Sequence, residues 1–215
     1  MQLQLDTSSW SSAGADWLIV GLPEEFELTG PVAELDQALA GTLSRLRESQ
    51  DFTGKSAEVV ALRGATGVAA ARVLLVGLGA GEQLNEGSWQ KAYTTAARHI
   101  STKKVSRVAV AVLTAGTSNL SLAKRVELAV ISCLVGSIGQ DLYRAEKKRF
   151  PFDNVSLLVD AKSPVAGLNE ALERGRIIGE AINLTRELVN QPASVIYPVS
   201  FADRAQKLAA LHHLK

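Results

Sequence analysis

Five short, mainly apolar runs, separated by longer amphipathic stretches, constrain the fold of this chain more than any other feature. The runs are Trp17–Leu22, Glu58–Leu62, Arg72–Leu78, Arg107–Val112 and Asn154–Val159. Apolar residues follow one another without regular polar alternation, which predicts strands covered on both faces. The glycine-bearing segment 63–67 predicts a hairpin between the second and third strands. Strands of this kind alternating with helices are typical of an α/β fold, with helices on both faces of a mixed, mainly parallel sheet.

Three amphipathic helices are predicted between these strands from apolar residues at the helical period. The first carries Val32, Leu35, Leu39, Leu43 and Leu46, and the second carries Trp89, Tyr93, Ala96, Ala97 and Ile100. Pro31 suits the start of the first helix because its missing N–H would be unpaired there, and Asn85 is a suitable cap for the second. The third runs from about Leu120 to Tyr143, and its nearly all-apolar middle predicts burial between layers.

A fourth helix begins at Pro164 and meets no strong breaker before Asn190-Gln191-Pro192. It would span about 25 residues, or roughly 37 Å, which is more than a five-stranded sheet needs as cover. This predicts a linker helix that leads out of the domain. Another amphipathic helix begins after Pro198 and stops at Lys215, which predicts a second domain that is started and not completed. The expected divisions are residues 1–162, 163–190 and 191–215.

Charge and cysteine content exclude several classes of protein. The chain has 23 Lys and Arg against 22 Asp and Glu, a net charge of +1, which argues against a dedicated nucleic-acid binder. A single cysteine excludes an internal disulfide and a cysteine-built zinc site, and fits a reducing compartment. No apolar run reaches the roughly 18 residues needed to span a membrane, and the N-terminus lacks the pattern of a signal peptide. We expect a soluble, cytoplasmic protein.

The loop Gly77–Gly81 follows a strand and precedes a helix, where backbone amides can hold a phosphate. The dinucleotide pattern G-x-G-x-x-G fails, however, because Glu82 stands at its last glycine. The next strand, ending near Leu113-Thr114, brings no acid to hold a ribose. The loop therefore favours a tight turn in which glycine adopts positive φ.

The remaining candidate residues form no complete site. His99 lies in the last turn of a helix, where a cation is favoured, and the adjacent His212 and His213 would point about 100° apart on a helix. Cys133 lies in the most apolar helix, which predicts a buried, inert thiol. A solvated, basic helix C-terminus would explain the cluster Arg144, Lys147, Lys148 and Arg149. Surface carboxylates are predicted at Glu24, Glu25, Glu27, Glu170, Glu173 and Glu180. No catalytic, cofactor-binding or metal-binding residue is therefore assigned to this chain.

The order of the segments nevertheless resembles the leucyl (cytosol) aminopeptidase family of dinuclear metallopeptidases. The matching pieces are Asp16–Leu22, Asp51–Lys55, Arg72–Gly79, Ala96–Arg98, Gly179–Pro192, Tyr197-Pro198 and Phe201-Ala202. Ser194 and Tyr197 depart from the family, which often has Asn and Thr there. The resemblance implies a macro-domain-like, three-layer N-terminal domain followed by a linker helix.

The resemblance also implies an activity for the whole protein. Family members are hydrolases that remove N-terminal amino acids from peptides, use two divalent metals (zinc or manganese) and assemble as hexamers. The family's metal ligands and catalytic lysine and arginine lie in later motifs of the type D-S-G-G and N-T-D-A-E-G-R, which are absent from residues 1–215.

Three hypotheses follow. In the first, the chain is the non-catalytic N-terminal portion of a leucyl aminopeptidase, with its own catalytic domain and further copies of itself as partners. In the second, it is a self-standing macro-like module that binds ADP-ribose or another nucleotide at Gly77–Gly81. In the third, it is a DNA-contacting domain. The apolar stripe after Pro198 argues against the second, and the net charge of +1 argues against the third.

Overall fold

A single mixed sheet organises the domain in the computed structural model, which describes residues 1–81, 84–112, 120–139, 141, 143–161 and 165–213. Within these residues the strands are β1 (Gln2–Asp6), β2 (Trp17–Leu22), β3 (Val59–Arg63), β4 (Arg72–Gly77), β5 (Arg107–Ala111) and β6 (Asn154–Leu158). Their order is β1-β6-β5-β2-β4-β3. All neighbouring strands run parallel except β3 and β4, which form the expected hairpin. The prediction of a mixed, mainly parallel sheet is confirmed.

Helices cover both faces of this sheet, as its doubly apolar strands require. On one face, α3 (Glu86–Ile100) and α4 (Leu122–Ser137) pack with Ile19, Leu74 and Val110 into one core cluster. On the other face, α1 (Gly30–Ala38) and α2 (Thr42–Glu48) pack with Leu18, Leu75 and Ala109 into a second cluster. The three-layer arrangement is confirmed, and α4 is buried along most of its length as predicted.

The edge strand β1 was not among the predicted strands. It pairs with β6 in parallel, with Leu3 opposite Val155 and Leu5 opposite Leu157. Its sequence, QLQLD, alternates polar and apolar residues, which is the pattern of a strand covered on one face only. The alternation was therefore the signal that could have found it.

Two helix bounds differ from the predictions. The first predicted helix is two helices, because the chain turns at Ala40 and Gly41, whose φ angles are 51° and 74°. The predicted apolar stripe is still correct, since Leu35, Leu39 and Leu43 are all buried. The third helix ends at Ser137 rather than Tyr143, because Ile138 is extended, with φ −99° and ψ 121°.

The long helix α5 (Val165–Asn190) is continuous over 26 residues, which confirms its predicted length; Pro164 lies outside the described residues. The expectation that it projects from the domain is wrong over much of its length, because it contacts α4 from Gly175 to Arg186. A β-carbon added at Gly175 would lie 2.7 Å from the carbonyl oxygen of Glu127, and one at Gly179 would lie 2.7 Å from Cδ1 of Leu134. Beyond Gly179 no residue of α5 is fully buried.

The last helix, α6 (Pro198–Leu211), is amphipathic but contains no buried residue. None of the helices in the described parts of the chain has the length and apolar character needed to cross a membrane.

Candidate functional site

The edge of the sheet at which the parallel strands end is the usual ligand site of an open α/β fold, and the loop Gly77–Gly81 lies there. Three of its backbone amides already donate to backbone carbonyls. Gly77 donates to Glu58 at 2.8 Å, Leu78 to Leu22 at 2.9 Å and Gly79 to Gly54 at 2.9 Å. These amides are therefore not available to hold a phosphate, which weighs against the nucleotide-binding hypothesis at this loop.

Steric contacts explain the glycines of this loop. Gly79 has φ +92°, which favours glycine, and a β-carbon at Gly77 would lie 1.9 Å from the carbonyl oxygen of Lys55. The segment that crosses Gly77 is held by Glu58, whose carboxylate accepts hydrogen bonds from the amides of Thr53 (3.0 Å) and Lys55 (3.2 Å). The geometry thus favours the tight-turn interpretation. Glu82 and residues 113–119 lie outside the described residues.

The structure does not bring the candidate histidines and the cysteine together. His99 is exposed at the end of α3, and His212 and His213 are exposed at the end of α6. Cys133 is fully buried in α4, and burial raises the pKa of its thiol to about 12. Among the residues that the structure describes, no three or more His, Cys, Asp or Glu side chains are grouped so that they could hold a metal ion.

The basic cluster Arg144, Lys147, Lys148 and Arg149 is not a helix C-terminus, because α4 ends before it. The Lys148 amide donates to the Asp141 carboxylate at 2.8 Å, which links two residues of the segment that follows α4. Arg149 donates to the carbonyl oxygen of Arg98 and, at 3.2 Å, to Oγ of Ser101. It therefore caps the C-terminus of α3.

A basic pocket that the sequence analysis missed lies at the opposite edge of the sheet, where β4 begins and α3 ends. Its volume is about 660 Å³, and its basic lining residues are Arg63, Arg72, Arg98, His99, Lys103 and Arg149. Of these, only His99 and Arg149 were candidates from the sequence, each as a separate feature. The six residues come from four separate stretches of the chain. The one available signal was the pair of arginines that flank the predicted hairpin.

Exposed apolar side chains are concentrated near the C-terminus. Six of the nine large apolar residues that are exposed in the described parts of the chain lie within residues 189–211: Val189, Val195, Tyr197, Val199, Phe201 and Leu211. We call these six the C-terminal apolar residues. The helix that carries three of them is tied to α5 by an ion pair of 2.6 Å between Arg204 and Glu187. This surface is the second candidate for an interaction.

Comparisons with known proteins identify the family to which this fold belongs. The family model described as "Cytosol aminopeptidase family, N-terminal domain" matches residues 19–147. A probable cytosol aminopeptidase of Syntrophotalea carbinolica is 34% identical over 197 residues, covering 90% of this chain and 39% of that protein. Another probable cytosol aminopeptidase, of Cupriavidus pinatubonensis, is 32% identical over 237 residues, covering 100% of this chain and 46% of that protein.

Solved structures agree on the fold. A mutant of tomato leucine aminopeptidase superposes with a TM-score of 0.82 at 23% identity, covering 99% of this chain and 43% of that one. The bottromycin maturation enzyme BotP in complex with Mn superposes with a TM-score of 0.69 at 25% identity, covering 92% of this chain and 37% of that one. The chain thus spans about two fifths of the length of these proteins. It belongs to the cytosol aminopeptidase family, whose N-terminal domain it contains.

Proposed function

We propose that this chain is the non-catalytic, N-terminal part of a leucyl aminopeptidase that, as a whole, removes N-terminal amino acids from peptides. The family match over residues 19–147 and the restricted share of each relative's length support this. In the whole enzyme, two divalent metal ions would supply the hydrolytic chemistry. The manganese complex of BotP supports manganese, with zinc as the alternative. The described residues of this chain do not fit a metal site, so we assign no hydrolytic step to them.

The observation that carries the proposal is the exposure of the C-terminal apolar residues. An amphipathic helix of a folded domain normally buries its apolar side. In α6, however, Phe201 and Leu211 are 52% and 71% exposed. Exposed apolar patches usually mark interaction surfaces. We therefore propose that residues 191–215 begin the catalytic domain, that residues 163–190 link it to the macro-like domain of residues 1–162, and that the catalytic domain covers this surface.

The role of the chain in this scheme is architectural. It flanks the catalytic domain and contributes to assembly, for which we propose the homo-hexamer of the family. The name of the family supports a cytoplasmic location.

Hydrolysis of leucine para-nitroanilide tests the assignment. The purified 215-residue chain is assayed with saturating manganese or zinc beside the full-length relative from Syntrophotalea carbinolica as positive control. We expect metal-dependent release of nitroaniline by the relative and none above background by the chain. Metal-dependent release by the chain at a rate near that of the relative would overturn the assignment.

A further inference from the structure

The basic pocket beside the hairpin concentrates positive charge in a chain whose net charge is only +1. Besides the six cationic or histidine residues, Trp17, Thr95, Ile100 and Thr102 line it, and no Asp or Glu is among the lining residues. None of the ion pairs among the described residues involves Arg63, Arg72, Arg98, Lys103 or Arg149. The positive charge is therefore not balanced by a carboxylate within the pocket.

Two of the arginines face each other directly. Arg63 and Arg72 are partners in the antiparallel β3–β4 ladder. Like charges at directly opposed positions destabilise a strand pair. The Arg72 guanidinium carbon also lies 5.2 Å from the centre of the Trp17 ring, which is the distance of a cation–π contact. A guanidinium has five N–H donors, so Arg72 can bind an acceptor while its charge contacts the ring.

The C-terminus of α3 accounts for only part of the cluster. Arg98 and His99 lie in its last turn, where the helix dipole favours cations, and Arg149 donates to the Arg98 carbonyl. The hydroxyl of Thr102 donates to the His99 carbonyl at 3.1 Å. These bonds give the carbonyls of Arg98 and His99 partners within the chain. The dipole does not explain the arginine pair on the strands.

We propose that this pocket binds a small multivalent oxyanion of the phosphate class, held between the Arg63–Arg72 pair and the C-terminal end of α3. Guanidinium groups match phosphate because their N–H donors form paired, charge-assisted hydrogen bonds with two oxygens. A bound anion would also offset the repulsion between the opposed arginines. The volume of about 660 Å³ is that of a small-molecule pocket. The balanced overall charge favours a small anion over duplex nucleic acid.

Titration with pyrophosphate at low ionic strength tests the proposal on the 215-residue chain, with binding followed by calorimetry. The pocket variant carries Arg63→Gln and Arg72→Gln. The control variant carries Arg174→Gln and Lys207→Gln, which remove the same charge from exposed positions on α5 and α6. We expect the pocket variant to bind pyrophosphate at least roughly tenfold more weakly, because it loses charge-assisted hydrogen bonds. The control variant should bind pyrophosphate as tightly as the parent chain does.

Thermal unfolding of Arg63→Gln alone provides a second readout. Without added anion, this variant should have a higher unfolding midpoint than the parent chain, because the repulsion is relieved. Pyrophosphate should raise the midpoint of the parent chain and not that of the variant. The proposal is overturned if pyrophosphate does not bind, if the pocket and control variants bind it equally, or if a duplex oligonucleotide binds the pocket more tightly than pyrophosphate does.

Discussion

Single carboxylates that accept backbone amide hydrogen bonds hold the turns of this domain. The buried Asp36 accepts from the amides of Leu43 (2.7 Å) and Ser44 (3.1 Å) and thereby caps the N-terminus of α2, which begins at Thr42. Asp16 accepts from the amides of Ser106 (2.9 Å) and Arg107 (2.8 Å), which joins the start of β2 to the start of β5. Such bonds to ionised acceptors are stronger than neutral ones. These acids therefore have structural roles.

The buried thiol of Cys133 makes the free energy of unfolding depend on pH. Its thiol has a pKa of about 12 in the folded chain, against 9.0 normally, because it is fully buried. Between these values the folded chain keeps the proton that the unfolded chain loses, so the free energy of unfolding falls as the pH rises, by about 1.4 kcal/mol per pH unit for this group. Burial also raises the pKa of Tyr93, which adds to the fall.

Urea unfolding at a series of pH values from 8 upward measures this fall. In Cys133→Ala, the free energy of unfolding should fall less steeply with pH, because the variant lacks the thiol proton. The part of the fall that is due to Tyr93 should remain. The native thiol should also resist Ellman's reagent until the chain is unfolded. Equal slopes in the two proteins, or rapid labelling of the native chain, would show that the thiol is not buried in solution.

At the scale of elements, α5 completes the end of α4. Asn183 donates to the carbonyl oxygen of Leu134 at 3.1 Å, and Arg186 donates to those of Val135 (2.9 Å) and Ile138 (3.3 Å). The last carbonyls of a helix have no partner within the helix. The side chains of α5 supply those partners, which fixes the position of α5 along α4.

Close approach of the same two helices requires Gly175. We expect Gly175→Ala to lower the free energy of unfolding by about 1–3 kcal/mol, because the new methyl group would overlap the Glu127 carbonyl and the Val130 side chain. Gly167 provides a control on the same helix, since no atom that the structure describes beyond its chain neighbours and its own helix backbone lies within 4 Å of its added β-carbon. Gly167→Ala should raise the free energy of unfolding by up to about 1 kcal/mol. Chemical denaturation that finds both variants stabilised would exclude the close α4–α5 contact.

Across the whole molecule, packing falls off from the sheet to the C-terminus. The central strands and the helices α1 to α4 contain fully buried residues, such as Leu35 and Trp89. The first half of α5 still contributes Leu168 and Ala171 to a core cluster, and α6 contributes none. Resistance to local opening depends on buried contacts of this kind. The last helix should therefore be the least protected one in the isolated chain.

Hydrogen exchange followed by mass spectrometry measures this gradient. Amides of α6 should exchange fastest among the helices and those of α4 slowest, because only α4 is buried along most of its length. Peptides from α3, which is buried along one side, provide an internal reference for a well-packed amphipathic helix. Protection of α6 equal to that of α3 would mean that another surface, such as a second copy of the chain, covers it.

Local sequence patterns determined the strands, most of the helices and the class of fold. Leu18, Ile19 and Val20 are consecutive and all fully buried, so their sequence alone indicates a strand with cover on both faces. The capping box of Asn85 and Ser88 at the start of α3 is equally local. These features could be predicted because burial on a strand or helix repeats with a short period along the chain.

Only the tertiary structure decided which of these elements meet. The strand order, with β1 beside β6, joins the two ends of the domain through the pairing of Leu3 with Val155. The packing of α5 on α4 depends on contacts such as that of Asn183 with Leu134, 49 residues apart. Arg63, Arg72 and Arg98 form one pocket because a hairpin and a helix end meet at one edge of the sheet. No short window of sequence contains such a cluster, since its charges become neighbours only when distant segments pack together.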